Sequence, residues 1–141
     1  MAVEAPAAAL AAERATADDI ARLRASAADC ERVDDDGRLL AQRFSDFHAL
    51  VVELSANRTL SLLHSMLREI IDMAKLRRFT DGGAGKRRAI AHGANAHERL
   101  VDVIEARQPE AADKFRRTHL EQANRFLLEF PGSESPLDLL D

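Results

Sequence analysis

The chain has 141 residues, 46% of them apolar and 31% charged, which suits one domain with a core of its own rather than two. Its 20 basic and 24 acidic residues leave a net charge of −4, so there is no general electrostatic footprint for a phosphate backbone. The aromatic residues are 6 Phe with no Trp or Tyr, and Ala, Leu, Arg and Glu dominate, a balance that favours helix over sheet. The single cysteine, Cys30, excludes an intramolecular disulfide framework and a thiolate metal cluster. It reads as a small, partly buried residue of a protein kept in a reducing cytoplasm.

The run from Met1 to Ala12 is alanine-rich but lacks a basic start, carries Glu4 and Pro6, and is far too short to span a membrane, so it is read as neither signal peptide nor anchor. From Glu4 to Ala15 it predicts a short helix with Leu10 as its main apolar anchor, which needs a partner surface. Thr16, followed by Ala17-Asp18-Asp19, has the form of an N-cap with an acidic first turn. Ile20, Leu23 and Ala27 then continue at helical spacing to about Val33. Asp34-Asp35-Asp36-Gly37 lacks the alternating ligands of a calcium loop and reads as a helix cap. A third helix runs from Asp36 towards Leu54, with Leu40, Phe44, Phe47, His48 and Val51 along one side, until Ser55-Ala56-Asn57 breaks it.

Asn57 is expected to cap a fourth helix, Arg58 to about Phe79, whose Leu60, Leu63, Leu67, Ile70, Ile71 and Ala74 make it read as a core helix. Thr80 to Gly85 is expected as a flexible loop. Its glycines follow no strand, and Lys86 precedes Arg87 rather than Ser or Thr, so the phosphate-binding Walker pattern is incomplete. The basic clusters Arg77-Arg78 and Lys86-Arg87-Arg88 flank this loop and read as solvated helix ends. A fifth helix is placed at about Ala89 to Ala106, with His97, Leu100, Val101 and Ile104 in register. Pro109 opens a sixth that runs to about Glu129, with Phe115, His119, Ala123, Phe126, Leu127 and Phe130 on one side. Pro131-Gly132-Ser133 ends regular structure, giving one helical domain over residues 1–130 and a mobile tail over 131–141.

The histidines carry the functional signal. His48 lies one turn after Phe44 and one before Val51, His97 one turn before Leu100 and Val101, and His119 one turn after Phe115, so three helices each turn one imidazole towards the core. Burying them without partners would cost on the order of 1–3 kcal/mol each, so they need something to bind. Imidazoles suit zinc or nickel, and three of them leave a coordination position open. His64, one turn from Leu60 and Leu67, is expected in a structural position or at the rim of the same cavity, and His92, beside Gly93, is expected to be exposed.

Phe47-His48, Leu54-Ser55-Ala56-Asn57, the run from His97 to Ala106, Ala111-Ala112 and Thr118-His119-Leu120 occur in an order and spacing that resembles the FCD domain. This is the C-terminal effector-binding domain of FadR-type regulators in the GntR family of bacterial transcription factors. The resemblance covers about Glu4 to Glu129. It implies an all-α antiparallel bundle of about six helices that dimerises and senses a small organic or sugar acid. Many members also hold a divalent metal through one Asp and three His, and the three His correspond to His48, His97 and His119. His64 joins them as an effector-binding candidate.

Two departures matter. The family's Asp sits one turn before the first of these histidines, where this chain has Phe44, and Asp46 is turned away from the His48 face. The site is therefore either a weakened metal centre, a three-histidine centre completed by water or effector, or a metal-free pocket in which imidazoles meet the acid directly. The family's winged helix-turn-helix is also missing from the start of this chain. Transmission to DNA is accordingly expected through DNA-binding domains absent from this chain, which is not expected to bind DNA by itself. A ligand-free helical interaction or dimerisation module is the alternative. A three-histidine metal hydrolase is a further one, although no general base accompanies the histidines, and the chain is read as not an enzyme.

Overall fold

Local capping chemistry sets where the helices of the computed structural model begin. The structure describes residues 3–32, 36–80 and 84–128. Among them run α1 (Glu4–Arg14), α2 (Ala17–Glu31), α3 (Gly37–Leu54), α4 (Arg58–Thr80), α5 (Ala84–Glu105) and α6 (Pro109–Leu128), with no strand. Thr16 caps α2 in a reciprocal box with Asp19: its hydroxyl accepts from Asp19 N at 3.1 Å, while its own amide donates to the Asp19 carboxylate at 2.9 Å. The Asp36 carboxylate accepts from the amides of Arg38 and Leu39, and Asn57 Oδ1 from that of Leu60, so both expected caps form. Helix α5 begins at Ala84, earlier than its apolar periodicity predicts. Lys86, Arg87 and Arg88 are good helix formers and one glycine costs only about 1 kcal/mol. Of the expected loop, residues 81–83 lie outside the described residues, as does the C-terminal tail.

Helix α1 packs mainly against α6 and α3, α2 against α5 and α3, and α4 against α3. Leu23 and Cys30 of α2, Leu40, Phe44, Phe47 and Val51 of α3, and Leu100, Val101 and Ile104 of α5 fill the core between them. The short helix α1 is anchored differently from expectation. Leu10 is only half-buried, whereas Ala7, Ala8, Ala11 and Ala12 are fully buried, so neighbouring helices approach its backbone closely. Arg14 Nη1 donates to Ser55 O at 2.7 Å and Arg107 Nη1 to Ala12 O at 3.2 Å, pinning the C-terminal end of α1.

Helix α4 is not the core helix its apolar stripe suggests. Leu62, Leu63, Met66, Leu67, Ile70 and Met73 face outward, Met66 at 70% exposure and Leu62 at 62%. The inward side repeats a different set every fourth residue: half-buried Leu60, buried His64, then Arg68 and Asp72, both half-buried. Ser45 of α3 donates to the Asp72 carboxylate, and Arg68 pairs with Asp46 at 3.0 Å and Asp72 at 3.4 Å. Polar contacts therefore select the buried face of α4, against its hydrophobic periodicity.

Helix α5 meets α3 closely at Gly93. A Cβ there would lie 2.6 Å from Cε1 of Phe44, whose ring is itself 7% exposed and packed on His97. Gly93→Ala is therefore expected to destabilise the fold by about 1–3 kcal/mol despite alanine's better helix propensity. Adding Phe44→Leu to Gly93→Ala should recover most of that loss. Urea unfolding of the single and double variants measures this, and an additive pair would refute the contact.

Candidate functional site

The elements place His48, His64 and His97 in the interior, at 8%, 5% and 1% exposure, on α3, α4 and α5. His48 Nε2 and His97 Nε2 share a hydrogen bond of 2.9 Å. The His97 ring lies between two phenylalanines, stacked on Phe47 with centroids 4.1 Å apart and tilted against Phe44 at 4.8 Å. His119 is half-buried, its ring centroid 6.2 Å from that of His97. It faces a cleft of about 300 Å³ between α5 and α6, where exposed His92, Asn95 and Arg99 and the α6 residues Phe115 and Thr118 join it. Arg99 lies over the Phe115 ring, 5.4 Å from its centroid.

Two charged residues complete this centre that hydrophobic periodicity did not select. Glu4, in the first turn of α1, is 1% exposed, and Arg116 of α6 is 2% exposed. Arg116 Nη2 donates to Glu4 Oε2 and lies 2.6 Å from His48 Nδ1 and 3.3 Å from His48 Nε2. The same Glu4 oxygen is 3.3 Å from His48 Nδ1, while Glu4 Oε1 stands 3.6 Å from His64 Nε2 and accepts no hydrogen bond. A guanidinium only donates, so a neutral His48 accepts from Arg116 at Nδ1 and offers its Nε2 proton to His97; a protonated His48 turns its Nδ1 proton to Glu4. The sequence held one clue to this pair: Glu4 shares the alanine face at residues 7, 8 and 11, and Arg116 lies one turn after buried Ala112 and one before His119.

Burial on its own would raise the Glu4 carboxyl. The charges of protonated His48 and of Arg116, with the contacts of His48 and His64, outweigh burial and hold it well below its ordinary value of 4.5. A carboxyl depressed in the folded state contributes stability that is complete above 4.5 and lost as pH falls through the lower folded value. The urea midpoint is thus expected to fall on acidification below 4.5, over the interval down to the folded value, and less steeply in Glu4→Gln. Equal acid limbs in the two proteins would show that Glu4 is not the titrating group.

These distances also test the metal centre implied by the resemblance. Phe44 supplies no donor, Asp46 is exposed and engaged by Arg68 and Gln42, and the nitrogens of His48 and His97 that face each other share a proton. Arg116 sets a fixed positive charge against both nitrogens of His48, which repels a cation. Among the described residues no group of three or more His, Cys, Asp or Glu is arranged to hold an ion. His48, His97 and His119 therefore do not fit a zinc or nickel ion in this arrangement: the acid such a site needs is replaced by a ring, and an arginine supplies the positive charge.

An all-helical domain whose interior holds three histidines and the Glu4–Arg116 pair beside an adjoining cleft is the class that fold and site define. The FCD domain model matches residues 1–122, and the chain belongs to that family. It is an effector-binding domain of the kind carried by GntR-family transcription regulators. No curated protein and no solved structure matches the chain. No helix among the described residues is long and apolar enough to cross a membrane.

Proposed function

We propose that this chain is the sensing domain of a GntR-type regulator, that it binds a small organic or sugar acid without a metal ion, and that it passes the binding event to DNA-binding domains outside this chain. The observation that carries the reading is the donor-rich interior: Arg116 and the imidazoles of His48 and His64 converge on one carboxylate in a domain of an effector-binding family. His97 and His119 extend this polar surface towards the α5–α6 cleft, where Arg99 and His92 add positive or protonatable groups. An acid is the ligand such groups favour, because charge-assisted hydrogen bonds in a water-poor interior are stronger than neutral ones.

A ligand that binds only the folded protein stabilises it by RT ln(1 + [L]/Kd), about 2.7 kcal/mol at a hundredfold excess over Kd, which moves the melting temperature of a domain this size by several degrees. A thermal-shift series of citrate, malonate, lactate and gluconate is expected to yield at least one such increase, reduced at least tenfold in apparent affinity by His119→Ala. Zinc and nickel are expected to give none, and metal analysis after dialysis should find well under one ion per chain. Stoichiometric zinc or nickel, or no response to any acid, would refute the metal-free acid sensor.

The outward apolar strip of α4 supports a homodimer. Its six exposed side chains recur on one face of a single helix, the kind of contiguous apolar patch that marks an interaction surface rather than scattered surface hydrophobics. A second copy offering the same strip pairs with it isologously, placing two sensing domains about one axis. Leu62→Glu combined with Met66→Glu is expected to convert a dimer to a monomer in size-exclusion chromatography with light scattering. A wild-type monomer at micromolar concentration, or a variant that stays dimeric, would remove this surface from the interface.

A further inference from the structure

We propose that Arg116, with His48 and His64 beside it, is a carboxylate-binding site whose resident occupant is Glu4, and that an incoming acid takes the place of this tethered carboxylate and releases the first turn of α1. The inference rests on the acid-sensing reading and adds to it the atom that receives the carboxylate, the group displaced and the element set free.

The pairing is not that of a fully satisfied structural ion pair. Glu4 uses Oε2 for Arg116 and His48, while its other oxygen is buried with no hydrogen bond and only a long contact, 3.6 Å, to His64 Nε2. A guanidinium and two imidazoles offer more donors than a carboxylate hydrogen-bonded through one oxygen uses. A free carboxylate is not bound to a helix backbone and can rotate to use both oxygens, so it competes in kind for the same donors. What Glu4 has in its favour is the tether, which supplies it at high effective concentration without the entropy cost of association.

The surroundings of α1 make release of its first turn a local event. The N-cap of α1, Val3, makes no side-chain cap, and the buried face over Ala5, Ala7 and Ala8 consists of single methyl groups, so among the described residues Val3 and Glu4 are the larger side chains that this end buries. The other end is held separately, by Arg14 on Ser55 and Arg107 on Ala12. Displacing Glu4 thus loosens the N-terminal turns while the C-terminal ones stay docked. Arg116 and Glu4 are 2% and 1% exposed, so exchange of the carboxylate requires this end of α1 to lift.

Formate is a probe small enough to replace the Glu4 carboxylate without knowledge of the effector. In Glu4→Ala, sodium formate is expected to raise the melting temperature above that in sodium chloride of equal ionic strength, recovering about half of the loss caused by the substitution. Wild type, with its site filled, should respond at least tenfold more weakly in apparent affinity, and Arg116→Met added to Glu4→Ala should erase the response. Should Glu4→Ala not fold in chloride, recovery of its helical circular dichroism in formate gives the same readout, and Glu4→Gln supplies a second, isosteric variant. If formate restores neither variant, or acts equally on wild type, the site is overturned. In wild type, malonate at a concentration that raises the melting temperature should speed exchange of the Ala7 and Ala8 amides, the first of α1 to bond to the preceding turn, at least tenfold. Slower exchange there would overturn displacement and yet leave acid sensing intact, whereas formate rescue without any acid response in wild type would leave the site intact and remove the sensor.

Discussion

The buried ion pair between Glu4 and Arg116 joins the first helix to the last and fixes what the interior can do. It places opposite charges where most small domains place leucine, and their desolvation costs several kcal/mol per ion unless the geometry returns it. Removal of one partner leaves the other charge buried, a loss of about 3–5 kcal/mol, whereas replacing both with apolar residues can be neutral. The pair is therefore weak as a means of stability alone. Its effect is to make the docking of the N-terminal end of α1 depend largely on one specific contact, because the alanines beside it bury little area each and the other end is held separately.

Around this pair the interior is divided by chemistry. On one side Phe44, seated against Gly93, and Phe47 enclose the ring of His97 and keep it in a fixed, dry position. On the other, His48 and His64 face the carboxylate. His48 connects the two, touching Arg116, Glu4 and His97 at once, so a change of proton or partner on the charged side reaches the aromatic side through a single ring. A ring at position 44 and an arginine at position 116 act in the same direction: one removes the anion that a metal ion needs, and the other supplies a permanent cation.

How much of this was legible in the sequence depended on how far each signal reaches along the chain. The caps at Thr16, Asp36 and Asn57 are decided within three residues and read correctly. The inward registers of α2 and α3 followed from a core that is apolar on one side, and the burial of His48 and His97 followed with them. Helix α4 misled, because hydrophobic periodicity records which face avoids water and not which neighbour covers it. Its apolar face is outermost, and its inner face is chosen by His64, Arg68 and Asp72 meeting charged and polar groups of α1 and α3. Glu4 and Arg116 are separated by 112 positions, and a charge placed on an otherwise small-residue face gives no local sign of its partner.

The same interior explains why a sensing domain would keep charged groups in its core. An apolar contact between two helices is replaced only by another apolar surface of matching shape, which a small polar metabolite cannot present. One member of an ion pair is replaced by a group of the same charge and reach, and once the exchange is complete the remaining partner is satisfied again. A ligand shifts a conformational equilibrium only by its difference in affinity for the two states. Competition for Arg116 supplies that difference directly, since the state with Glu4 docked has no place for a second carboxylate and the state with Glu4 released has a place shaped for one.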